Sequence, residues 1–218
     1  MTRHIHSLVT SVIALAALAI ATPVFAGPPL LCHPFEIGTA RSLPWDGQAG
    51  WSHEKADYKI ENLISETEAL MTPSMPVVVR METLRRAALY ASRNPQVARE
   101  LLGRLTARAE ASEAGGHPNA LAFLDAAYIA EAFREIASLG GSEWAGRAQG
   151  VRAALGNADG YALISRSISA RPDDPAIQFA AALIAADKHR GQYTTHAAKA
   201  RAGAARDPLL ARNLSLVQ

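Results

Sequence analysis

The chain has 218 residues, with 22 Lys and Arg against 20 Asp and Glu, and a single cysteine. A formal charge of +2 gives no electrostatic signature of a nucleic-acid or anionic-membrane partner, and one thiol excludes an internal disulfide framework. Alanine supplies about a fifth of the residues while aromatic residues are few, a composition of helix formers.

The first 26 residues, MTRHIHSLVTSVIALAALAIATPVFA, carry Arg3 in a short n-region and an apolar run from Leu8 to Ile20. Small or slim residues follow at Val24-Phe25-Ala26, so the pattern predicts a secretory signal peptide cut after Ala26. The apolar run is shorter than the roughly 20 residues that span a bilayer, which disfavours a retained anchor. Lipidation is disfavoured because Cys32 follows Leu30-Leu31 instead of a small residue. The expected location is periplasmic or extracellular, with no stable membrane insertion after processing. Loss of Arg3 leaves a mature formal charge of +1.

Residues 27–51 form a different kind of sequence. Prolines at 28, 29, 34 and 44 and glycines at 27, 38, 47 and 50 forbid a long helix. Leu30, Leu31, Phe35, Ile37, Leu43, Trp45 and Trp51 are too apolar for a free tail. An extended arm docked on the rest of the chain is expected.

Residues 52–218 read as a helical domain. Ile60, Leu63, Ile64, Leu70 and Met71 share one face of a first helix that Ser52 would cap, and TPSMP ends it. A second helix runs from Pro76 to about Arg93, its first turn Val77-Val78-Val79. Asn94-Pro95 starts a third that Gly115-Gly116 ends. His117-Pro118 opens a fourth, ending near Leu139, whose apolar surface is too wide for one neighbour. Shorter helices follow at about 143–155, 159–170, 175–187, 191–205 and 208–216. Connections this short favour antiparallel hairpins.

Three helix starts resemble one another: SRNPQVARELL, RPDDPAIQFAAAL and ARDPLLARNLSL, with Pro175 and Pro208 separated by 33 positions. Leu183, Gly191, Tyr193, Gly203 and Pro208 match packing positions of a 34-residue helix hairpin, and over roughly the last third the chain resembles the tetratricopeptide repeat family. His196, Asp187 and Ala180 depart from that pattern, and the 80 positions between Pro95 and Pro175 are not a multiple of 34. The resemblance implies a stack of hairpins whose concave face holds a protein or peptide, and it implies no catalytic residue. The expected fold class is all-α, either such a short α-solenoid or an irregular bundle.

Candidate chemistry is sparse. Cys32 and His33 lack the first cysteine of a haem-attachment motif, and as neighbours in an extended segment they point to opposite faces, which disfavours a nucleophilic dyad. A soft-metal site at Cys32 and His33, completed by Met71, Met75, Met81 or His53, would make the chain a small metal-handling or redox protein. A structural cysteine is the simpler reading. Residues 80–108 hold seven arginines against Glu82 and Glu100. Arginines recurring on the outer face of the second and third helices could grip carboxylates or phosphates, which makes Arg85, Arg93 and Arg104, together with Trp45 of the arm, candidate partner contacts; a solvated face paired with the acidic first helix is the simpler reading. Glu131, Arg134 and Glu135 read as a polar helix face. No phosphate loop, Gly-x-Ser-x-Gly elbow or His-Glu-x-x-His is present, and no cofactor is implied. The expectation is an exported, non-catalytic scaffold that binds a protein or peptide.

Overall fold

The computed structural model describes residues 29–47 and 50–218; the segment 1–26 read as a signal peptide lies outside the described residues. The described chain is all-α. A 3-10 turn at Ile60–Asn62 leads into α1 (Leu63–Leu70), followed by α2 (Val77–Ala91), α3 (Pro95–Ala114), α4 (Ala120–Ser138) and α5 (Ser142–Leu155). Then come α6 (Gly160–Ala170), α7 (Pro175–Ala185), α8 (Arg190–Gly203) and the short α9 (Pro208–Asn213), which ends in a 3-10 turn, Leu214–Val217.

Five helix starts are fixed by short polar side chains. Asn94, Asn119, Asp159, Asp174 and Asp207 each accept two backbone N–H groups of the following turn. Such a cap is worth about 1 kcal/mol. Proline follows the cap at α3, α7 and α9, where its missing N–H costs nothing. The α4 start differs from expectation, because Asn119 and not His117-Pro118 supplies the cap.

Helix α4 forms the centre. Every residue from Ala120 to Phe133 is buried, which requires neighbours on all sides. These are α2, α3, α5, α6 and α7, with α6 packed along most of its length. Helix α7 is equally enclosed, buried from Ala176 to Ala185, and folds against α8 through the short connection 186–189. Close approach is secured by glycine: a Cβ at Gly203 would lie 2.4 Å from Pro175 Cβ, and one at Gly150 would lie 2.8 Å from Pro95 Cγ.

The arm is docked as expected. Leu30, Leu31, Phe35, Ile37 and Leu43 are buried in the common core, and Phe35 meets Tyr128 and Phe179 edge-on at centroid distances of 6.4 and 6.1 Å. The expected helix from Ser52 does not form: residues 52–59 continue the arm. Backbone groups that a helix would use are claimed elsewhere. Trp51 O accepts from Arg85, the Lys55 N–H donates to Tyr90 Oη at 2.9 Å, and the Asp46 N–H donates to His53 O. Trp51 also stacks on Trp144 at 5.1 Å, holding the segment against α5.

Candidate functional site

The arm is bound largely through its main chain, by buried polar side chains of the helices. Glu82 on α2 accepts the Phe35 N–H at 3.1 Å, and Arg85 donates to Leu31 O and Trp51 O. Arg86 donates to Leu43 O at 2.6 Å. Tyr128 on α4 donates to Leu30 O at 2.8 Å. Asn213 at the end of α9 accepts the Glu36 N–H and donates to Glu36 O, pairing with both backbone polar groups of that residue. Glu82 is itself clamped by Arg85 and Arg86, whose charges hold its carboxyl below the usual carboxylate range despite burial.

Arg85 therefore corrects an expectation: it does not lie on an outer face. It is fully buried, paired with Glu82, with its guanidinium over the Trp45 ring at 4.9 Å. Trp45 is half-buried and meets Tyr90 edge-on. Arg93 is exposed, and Arg104 bridges Glu100 on its own helix and Glu68 on α1. Arg80 is also interior. Its guanidinium meets Asp125 at 2.7 Å and Met71 Sδ at 3.3 Å, and Arg108 reaches Asp125 from α3. Seven arginines in 29 positions thus divide between core ties and solvent.

Cys32 is half-buried, and burial with the nearby Glu135 pushes its thiol up to about 11, against the opposing pull of Arg85. A thiol held neutral is a poor nucleophile and a poor ligand. Burial also lowers His33. Among the described residues no group of three or more His, Cys, Asp or Glu side chains is arranged to hold a metal. Met71 and Met81 are core residues.

A concavity lies elsewhere among the described residues. A cleft of about 750 Å³ opens between the C-terminal half of α4, the α7–α8 turn, the start of α8, the C-terminal residues and Pro29 of the arm. Leu183, Ile184, Leu216 and Tyr193 give it an apolar floor, and charges of both signs ring it: Glu131, Arg134, Glu135, Asp187, Lys188 and Arg190. Arg134 is ion-paired with Glu131 and donates to Ala158 O, so it is committed to α4 and the α5–α6 connection. Lys188 and Arg190 stand exposed at the turn. Tyr193 donates to Gln218 O at 3.2 Å, which brings the chain end to the rim. Glu135 is strongly perturbed. Enclosure of its carboxyl, with Glu131 and Asp187 nearby, holds it well above the carboxylate range although the Leu30 and Leu31 N–H groups oppose this.

No family model, curated protein or solved structure matches the chain. The site must be read from its own chemistry.

None of Cys32, His33, Trp45, Arg85, Arg93 and Arg104 lines the cleft. Of the residues that do, Glu131, Arg134 and Glu135 belong to the polar helix face and Leu183, Asp187 and Tyr193 to the repeat positions considered from the sequence. One signal is present in the sequence: Glu131-x-x-Arg134-Glu135 is a polar cluster near the end of a helix whose other residues, Asp125, Tyr128 and Ser138 apart, are apolar. Beside the cleft, His196 is buried and its tautomer is fixed. The Gln178 amide donates to Pro172 O, so its oxygen faces His196 Nδ1 at 2.7 Å and receives that proton, leaving Nε2 to accept from the Tyr161 hydroxyl at 3.3 Å. Tyr161 stacks on His189 at 4.0 Å, tying α6 to the α7–α8 turn.

Proposed function

We propose that the chain is an exported, non-catalytic helical scaffold that holds a protein or peptide segment in the cleft at the end of α4. The observation that carries this reading is the cleft itself: an open apolar floor framed by exposed charges of both signs, with no nucleophile–base pair and no metal-ligand group beside it among the described residues. An apolar floor supplies binding energy and a charged rim supplies selection and register. The α7–α8 hairpin, where the resemblance to tetratricopeptide repeats lies, forms one wall.

The test is selection of peptides from a random library on the mature protein, followed by affinity measurement with two variants. Tyr193→Ala removes an aromatic contact, and Lys188→Glu with Arg190→Glu reverses the exposed rim. Neither change touches a buried ion pair. Each is expected to weaken binding at least about tenfold, the scale of a 1.4 kcal/mol contact. Peptides that bind both variants as well as the wild type overturn the reading. Export is checked separately by N-terminal sequencing of the protein recovered outside the cytoplasm, with Gly27 expected as the first residue.

A further inference from the structure

The arm enters the fold at the cleft. The Leu30 N–H donates to both carboxylate oxygens of Glu135, at 3.2 and 3.1 Å, and Pro29 forms part of the cleft wall. The signal peptide read from the sequence ends at Ala26, which leaves Gly27 and Pro28 ahead of that wall. Removal of the signal turns the Gly27 amide into an α-amine, which ordinarily titrates near 7.7–8.0 and is charged at neutral pH. Two residues span at most about 7 Å. Gly27 and Pro28 each precede a proline, which pushes both to extended backbone. The new charge therefore stands on a short strut rooted at Pro29, whose carbonyl carbon bears the nitrogen that Glu135 holds.

The charges around that point suit one more cation. On α4, Glu131 is ion-paired with Arg134, which also donates to Ala158 O, and Lys188 of the α7–α8 turn acts on the same Glu131. Glu135 accepts main-chain N–H groups instead, and the side-chain charges that act on it are those of Glu131 and Asp187. Asp187 is exposed on the turn, and Arg190 is exposed where α8 begins. A carboxylate accepts at about four lone-pair sites, so the Leu30 N–H leaves Glu135 room for an ammonium donor. A cation placed between two carboxylates is stabilised by both.

We propose that the ammonium group of Gly27, created by removal of the signal peptide, docks in the cleft between Glu135 and Asp187 and completes the wall at Pro29. The precursor has a neutral peptide bond at that position, so the cleft reaches its final charge only on processing. With Glu131 answered by Arg134 and the other two acids by the ammonium, Lys188 and Arg190 are the charges left to a partner. Processing thereby turns the cleft toward an acidic segment. That consequence rests on the cleft being the partner site, whereas the dock itself needs only the processed end.

The experiment is trace acetylation of the mature protein with acetic anhydride from pH 6 to 10, read by mass spectrometry on its N-terminal peptide, with a free peptide GPPLL as reference. The Gly27 amine in the protein is expected to titrate about one pH unit above the reference, and so to react about tenfold more slowly at pH 7. Asp187→Asn, at an exposed position, is expected to lower that midpoint by at least about half a pH unit. Glu135→Gln is expected to do the same, and Asp187→Asn decides alone should that variant fail to fold. Burial without pairing would slow the reaction at every pH and leave the midpoint at the reference value; that outcome overturns the dock, as does a midpoint unchanged by Asp187→Asn. N-terminal sequencing keeps the failures apart. A first residue other than Gly27 overturns the processing site and the dock with it, whereas Gly27 with an ordinary midpoint overturns the dock alone. Peptides selected on the mature protein are expected to carry Asp or Glu. Loss of their binding by wild type and rim variants alike, with the raised midpoint intact, sinks the cleft as partner site and leaves the docked terminus standing.

Discussion

Two buried polar residues answer for distinct parts of the stability. Asp125 lies fully buried between Arg80 and Arg108, and burial pushes it up to about 6 against the pull of both arginines. Asp125→Asn removes the one carboxylate that, among the described residues, is ion-paired with Arg80, whose guanidinium lies at 1% exposure. The variant is expected to lose about 3–5 kcal/mol in urea unfolding, as other broken interior pairs do. A loss below about 1 kcal/mol would mean that Thr72 and Met71 suffice for Arg80. His196 acts through pH. Burial, assisted by Lys199, lowers its titration, so its contribution is present above its unfolded value near 6.5 and is lost as pH falls through the lower folded value. Asp125 titrates nearby with the opposite sign, so the useful quantity is the stability difference between wild type and His196→Gln. That difference is expected to shrink between pH 7.5 and 5; a constant difference removes His196 from the pH response.

At the scale of elements, small residues and the arm set the packing. Gly203→Ala is expected to destabilise by about 1–3 kcal/mol, the range for overpacking, because the new methyl would collide with Pro175. Gly103→Ala, on the exposed side of α3 with open space around it, is expected to stabilise by about 0.5–1 kcal/mol. Opposite signs in thermal melts check the pair together. Phe35→Ala tests the arm and is expected to cost about 3–5 kcal/mol. Much of this layer was legible. The Asn-Pro and Asp-Pro dipeptides name their caps, periodicity places the helices, and the arm shows itself by large apolar residues among prolines. What was not legible has one physical origin. Arg85, Glu82 and Tyr90 spend their polar groups on backbone far away in sequence, and the bonds of Arg85 to Trp51 O and of Tyr90 to the Lys55 N–H hold the start of residues 52–59 in the arm instead of a helix. Side chains that bind main chain leave no periodic trace. The cleft was invisible for a related reason, since α4, α7, α8, the arm and the chain end each contribute only a few residues to it.

The molecule as a whole is organised around α4, which touches five other helices and the arm. In a one-dimensional stack each unit meets only its neighbours and segments melt in succession. With a shared central helix, loss of any layer exposes the same core, so a single transition is expected. Urea curves followed by far-UV circular dichroism and by tryptophan fluorescence should coincide, the three tryptophans reporting from the arm and α5. Separated midpoints would show that the arm side unfolds by itself. The Asn213 clasp on Glu36 adds a consequence in time. The two residues lie 177 positions apart. The loop between them must close before the contact repays its entropy, so the two hydrogen bonds on Glu36 are expected to form late in folding. Asn213→Ala should therefore speed unfolding and leave the refolding rate nearly unchanged. A slowed refolding rate would place the clasp in the transition state instead.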